Sequence, residues 1–130
     1  MEPFGGPPKA LEQSYALKAR TKKFAIRIVN LYQSLRAGED ARVIGRQLLR
    51  SGTSVAANYR AVCRARSKPE FVSRIGVVVE EIDETVLWLE LLVDTSIVPG
   101  ARMKDLMREA NELLAIFAAS QRTAKGFHGQ

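Results

Sequence analysis

One cysteine and one histidine in 130 residues leave little of the usual side-chain chemistry within reach. A single thiol cannot form an internal disulfide, and zinc sites of the usual kind need more cysteine and histidine than the chain contains. His128 lies in the last few residues, so neither a Ser/His/Asp nor a Cys/His pairing is credible. The glycines of GEDARVIG and RSGTS lack the spacing and the preceding strand that a phosphate-binding loop requires. Glu80, Glu81, Asp83, Glu84 and Glu90 suggest a carboxylate metal site of the di-iron kind. Such sites also need Glu-x-x-His motifs, and there are none. These absences predict a protein that is not an enzyme and has no cofactor or metal. Aromatic residues make up 7% and do not interleave the basic ones, so base stacking along a single strand is not indicated.

Long apolar runs are missing as well. Glu80, Glu81, Asp83 and Glu84 interrupt the most hydrophobic region, which argues against a membrane span. Met1 to Pro8 lacks the basic start and apolar stretch of an export signal, so the expected compartment is the cytoplasm, without a membrane partner. At this length the chain makes one domain that buries roughly two thirds of its unfolded surface, with no need of a metal or disulfide staple.

What the chain does have is helical periodicity. MEPFGGPPKALEQ, residues 1–13, carries two glycines and three prolines and predicts a flexible tail. A first helix is expected from about Ser14 to Arg36, with Leu17, Phe24, Ile28, Leu31 and Leu35 on one face, Tyr32 at its flank and Gly38 as the stop. Lys18, Lys22, Lys23 and Arg27 on its other side read first as a solvated face and second as a binding surface.

Glu39 and Asp40 open a second helix, expected to reach Ala65. Spacing residues at about 100° puts Ile44, Leu48, Gly52, Val55, Tyr59, Val62 and Cys63 on a core face, with Cys63 as a small buried hydrophobe. Arg42, Arg46, Arg50, Arg60 and Arg64 gather on another side as a basic stripe. Gln47, Ser51, Ser54 and Asn58 form a third strip that permits close backbone approach and can hydrogen-bond a partner. Gly45 and Gly52 each cost about 1 kcal/mol relative to Ala in a helix, which predicts a close crossing with a neighbour. Ser67 and Glu70 make a capping box and Pro69 sits in the first turn, so a third helix is expected from about Lys68 to Val93.

Phe71, Ile75, Val78, Val79, Ile82, Val86, Leu89 and Val93 form the inward stripe of that third helix. A second apolar group, Val77, Trp88, Leu91 and Leu92 with Glu81 and Glu84 among it, points to a subunit interface, or else to a wide core face with Trp88 at its margin. Pro99 and Gly100 break the pattern. A fourth helix from about Ala101 to Arg122 turns Met103, Leu106, Met107, Ala110, Leu113, Leu114 and Phe117 inward, and TAKGFHGQ, residues 123–130, is expected to be a loose tail. Four amphipathic helices on short links give an all-α fold, an antiparallel up-down-up-down four-helix bundle over residues 14–122.

The run RSGTSVAANYRAVCRARSKPEF followed by EEIDETVLWLELL resembles the bacterial four-helix-bundle proteins related to those encoded inside 23S ribosomal RNA intervening sequences, and the likeness extends from Ser14 to Arg122. The resemblance implies a bundle that assembles into a ring-shaped homo-pentamer. It also implies, more distantly, a likeness to the accessory protein of diversity-generating retroelements, which uses a basic surface to bind nucleic acid and a reverse transcriptase.

Charge is unevenly placed. Up to Arg74 there are fifteen Lys and Arg against five Asp and Glu, and from Ile75 onward five against nine, leaving +10 and −4. Two functions follow. The arginine stripe holds RNA or DNA phosphates weakly and without reading sequence, since planar guanidinium groups suit that task. Alternatively the protein is an interaction module or self-assembling scaffold, and the same arginines meet the acidic third helix of a neighbouring subunit or a partner protein.

Overall fold

The computed structural model describes the backbone of residues 8–126 and the side chains from residue 12 onward. The expected tails over 1–7 and 127–130, His128 included, lie outside the described residues. Four helices follow one another: α1 (Pro8–Ser34), α2 (Glu39–Cys63), α3 (Lys68–Asp94) and α4 (Gly100–Lys125). α1 starts at Pro8, inside the stretch expected to be irregular, because a proline can occupy the first turn of a helix, where the missing N–H is harmless. α4 likewise runs on past Arg122 to Lys125.

Helix ends are set locally. Gly38 precedes α2 with φ +139°, a conformation open to glycine and strained for any side chain. At the start of α3, Glu70 N–H donates to Ser67 Oγ at 3.1 Å. Glu70 Oε1 in turn accepts from Arg66 N–H at 2.7 Å, one residue earlier than a standard box. The α3–α4 link is more than a breaker. Its Ile97 and Val98 are buried, and their N–H groups fold back to donate to the carbonyl of Leu92 at 2.9 and 3.1 Å.

The helices run alternately up and down. Gly52 faces Ile28 and Gly45 faces Leu35 across α1–α2. Ser51 faces Thr85 across α2–α3, and Arg20 faces Glu109 across α1–α4. Consecutive helices pack closely, whereas α1 and α4 touch least. The core joins Phe24 and Ile28 of α1, Leu48 and Val55 of α2, Ile82 and Leu89 of α3, and Leu113 and Phe117 of α4. Several residues assigned inward by periodicity, among them Leu17, Ile44, Phe71 and Leu114, are only partly buried and lie against the edge of that cluster. Cys63 belongs with them: it is half-buried at the margin of α2's buried arc, not in the core as its phase suggested.

The two helical glycines of α2 explain how α1 and α2 approach. A Cβ on Gly52 would sit 2.8 Å from both Cγ1 and Cγ2 of Ile28, a stiff and fully buried side chain. A Cβ on Gly45 would meet Leu35 Cδ1 at 2.7 Å, but that is the movable end of a half-buried leucine. Gly52→Ala should therefore cost about 1–2 kcal/mol in urea denaturation, overpacking outweighing a helix-propensity gain of about 1 kcal/mol. Gly45→Ala should stay within about 1 kcal/mol of wild type; equal losses at both positions would contradict this packing.

The sparse α1–α4 seam is held by a charged clamp. Arg20 donates from Nε and Nη2 to the two oxygens of Glu109, both at 2.7 Å, and from Nη2 to Glu112 at 2.8 Å. The hydrogen bonds from Arg20, helped by the charges of Arg27 and Lys23, hold the Glu109 carboxyl below its ordinary value. A depressed carboxyl adds stability that is present above its unfolded-state pKa and is lost as pH falls through its folded-state value. Arg20→Ala should thus cost roughly 1 kcal/mol at neutral pH, and the gap to wild type should close below about pH 4. A gap that persists undiminished at low pH would mean that Arg20 acts by packing alone.

Candidate nucleic-acid interface

α1 and α2 form a hairpin with almost no negative charge. No Asp or Glu occurs from Gln13 to Gly38 or from Ala41 to Pro69, so among the described residues the pair's own carboxylates are Glu12 near the start of α1 and Glu39 and Asp40 at the turn, and the others approach from α3 and α4. The antiparallel register that sets Gly52 against Ile28 brings Arg60 and Arg64 to the same end of the hairpin as Lys18 and Lys22. Lys22, Arg46, Arg60 and Arg64 are exposed, and among the described residues none of them forms an ion pair. Arg64 stands just past the end of α2, as its C-terminal cap residue, so the stripe bends away from the helix axis there.

Two of the five arginines in the stripe are engaged by their own chain. Arg42 pairs with Glu39 one turn back. Arg50 reaches across to α3, to Glu81 at 3.3 Å and to Glu84. Glu84 also accepts from Trp88 Nε1 at 3.1 Å, and the Trp88 bond, then that of Arg50, keeps its carboxyl below the ordinary range. The hydrogen bond to Glu84, with the charges of Glu84 and Glu81, raises the Arg50 guanidinium. Arg50 is therefore removed from the phosphate-binding set. Just beneath it, Thr85 Oγ1 donates to Ser51 Oγ at 2.9 Å in the buried seam, which is the hydrogen-bonding use expected of the small polar strip.

The cluster on α1 divides. Lys23 and Arg27 act electrostatically on Glu109 of α4, whereas Lys18 lies with its Nζ 5.4 Å from the ring centroid of Tyr15. Tyr15 is 58% exposed and Ile26 51%, two surface residues that the pattern of core positions had no reason to mark.

The second apolar group on α3 also needs correction. Leu92 is fully buried in the core of its own bundle, and its carbonyl accepts from the N–H groups of Ile97 and Val98 in the returning α3–α4 link. It is not an interface residue. Trp88 and Leu91 are half-buried, Trp88 packing on the core, while Val77 is 38% exposed. Leu87, absent from the sequence-derived group, is 46% exposed and takes its place on the outer side of α3. Glu81 and Glu84 serve Arg50 of the same chain.

Among the described residues no three His, Cys, Asp or Glu come together as a metal-sized group, and no helix is long and apolar enough to cross a membrane. The exposed arginines of this surface are fixed cations, able to attract at long range and to form bidentate hydrogen bonds to anionic oxygens.

No curated protein is significantly similar to the chain. Among solved structures, a protein of unknown function from the S23 ribosomal protein family of Bacteroides thetaiotaomicron is 32% identical and superposes with a TM-score of 0.75. That match covers 81% of this chain and 97% of the other. Residues 14–119 match the family described as 23S rRNA-intervening sequence protein. With most of its length in that match and the four-helix architecture to go with it, the chain belongs to the 23S rRNA-intervening sequence protein family.

Proposed function

We propose that this protein is a non-enzymatic bundle that holds RNA or DNA by its phosphates on the outer face of the α1–α2 hairpin. The observation that supports this reading is the carboxylate-poor hairpin, on which Arg46, Arg60, Arg64 and Lys22 stand exposed and form no ion pair among the described residues. Phosphate contacts fix position without reading bases, so binding is weak, tolerant of sequence and governed by salt.

A second reading rests on a different observation. Val77 and Leu87 expose apolar surface beside half-buried Trp88 and Leu91, which suits contact with further copies of the chain and a closed homo-oligomer, a pentamer if the family resemblance extends that far. The two readings are compatible, because the basic hairpin face and the outer side of α3 are different surfaces.

One set of preparations tests both. For wild type, log affinity against log salt should fall with a slope of about −0.7 to −0.9 per phosphate contact. The combined variant Arg46→Ala, Arg60→Ala, Arg64→Ala should flatten that slope by roughly 2–3 units on unrelated sequences. Arg50→Ala should leave it unchanged, since Arg50 is occupied by Glu81 and Glu84. Unchanged binding by the triple variant would refute the phosphate reading. In sedimentation, Leu87→Glu should dissociate the assembly with helicity retained, and a wild type running as a 14.4 kDa monomer would end the second reading.

A further inference from the structure

The core stripe of α4 stops before the helix does. Met103, Leu106, Ala110, Leu113 and Phe117 are buried one after another, but the next turns bring Ser120, Gln121 and Ala124 to the same side. α1 offers Gln13 and Ser14 in the facing turn, ahead of Leu17. Among the described residues, the α1 and α4 side chains at these positions are small or polar and do not fill this end of the bundle. A cavity of about 670 Å³ remains between Gln13, Ser14 and Leu17 of α1 and Ile116 to Ala124 of α4.

Its surfaces are sorted by chemistry. Leu17, Phe71 and Ile116 wall it, and Tyr59 forms part of its inner lining, braced against Phe117 with ring centroids 5.2 Å apart. Burial pushes the Tyr59 phenol well above its ordinary value, so its hydroxyl remains a neutral donor. Ser14, Ser120 and Thr123 add small polar groups, and among the described residues of the lining Lys68 is the charged one and none is Asp or Glu. Lys68 is exposed, so its ammonium can stay in water while the walls take an apolar body.

Volume, apolar walls and one cation without a competing carboxylate together define an occupant. The size falls within the range of about 300–1,000 Å³ found for small-molecule sites, and a few polar groups on apolar walls is their usual composition. We propose that this end cavity binds a small amphipathic anion, a medium-chain carboxylate, with its hydrocarbon body against Leu17, Phe71 and Ile116 and its carboxylate at Lys68. The site is separate from the phosphate-binding face and does not depend on it.

The probe is anilinonaphthalene sulfonate, an apolar body with one anionic group, displaced from the full-length protein by decanoate or decanol. Wild type should bind about one equivalent with enhanced fluorescence, and decanoate should displace it about tenfold better than decanol, the margin of one charge-assisted contact. Lys68→Gln should remove that preference while leaving decanol competition intact. Ser120→Phe should abolish binding by filling the cavity. Ala124→Leu should weaken it, and serves as the second filling variant if the phenylalanine disturbs folding as judged by circular dichroism. Binding that is not saturable, that decanoate fails to displace, or that survives in both filled variants overturns the proposal. Decanol competing as well as decanoate against wild type overturns it too.

Discussion

The separation of charge along the chain constrains the whole bundle. Cations dominate α1 and α2, carboxylates gather in α3, and α4 carries Glu109 and Glu112 on the side that meets α1. An up-down-up-down order places α2 beside the acidic α3, and α1 beside the two glutamates of α4, so opposite charges meet on both seams. Arg50 with Glu81 and Glu84 closes one, and Arg20 with Glu109 and Glu112 closes the other. The α1–α2 seam joins like charges and has no such clamp. It is held by close apolar packing, with Gly52 admitting Ile28 and Gly45 admitting Leu35. A partly exposed ion pair contributes little, about 0–1 kcal/mol, so the clamps orient helices that apolar burial holds together.

The same constraint shapes the surface. Each clamp consumes one arginine, and the remaining cations of the hairpin are left outside, where like charges at short range are tolerable only in water. An anion laid across the hairpin relieves that repulsion and releases its own counterions. Structure and proposed function thus share one cause: the bundle neutralises its charges on two seams and leaves the outer face of the third positive.

Much of this architecture was legible in the sequence because it depends on local or periodic signals. Ser67, Pro69 and Glu70 marked the start of α3 through chemistry confined to one turn, and the helical glycines announced a close crossing. What periodicity cannot give is the neighbour met at a given angle. Arg50 sits in the same stripe as Arg46 and Arg60, but only the α2–α3 register shows that Glu81 and Glu84 lie within its reach. Leu92 shared a flank with Trp88, yet it is fully buried within the bundle's own core. Arg20 had no sequence signal for its role, since its partners lie in another helix far along the chain. The C-terminal half of the α4 stripe shows the converse: Ser120, Gln121 and Ala124 were visible as small or polar residues, but a void needs the opposing α1 turn to be small as well.

The central claim is that some arginines of the hairpin are free for phosphate while others are committed to the bundle, and residue-resolved guanidinium modification tests it most directly. Phenylglyoxal labelling, read by peptide mass spectrometry with and without RNA, should modify Arg46, Arg60 and Arg64 quickly in the free protein. RNA should protect these three. Arg50 and Arg20 should react slowly in both conditions, because their guanidinium groups are held by carboxylates. Equal reactivity of all five, or protection by RNA that spares Arg46, Arg60 and Arg64, would contradict the account.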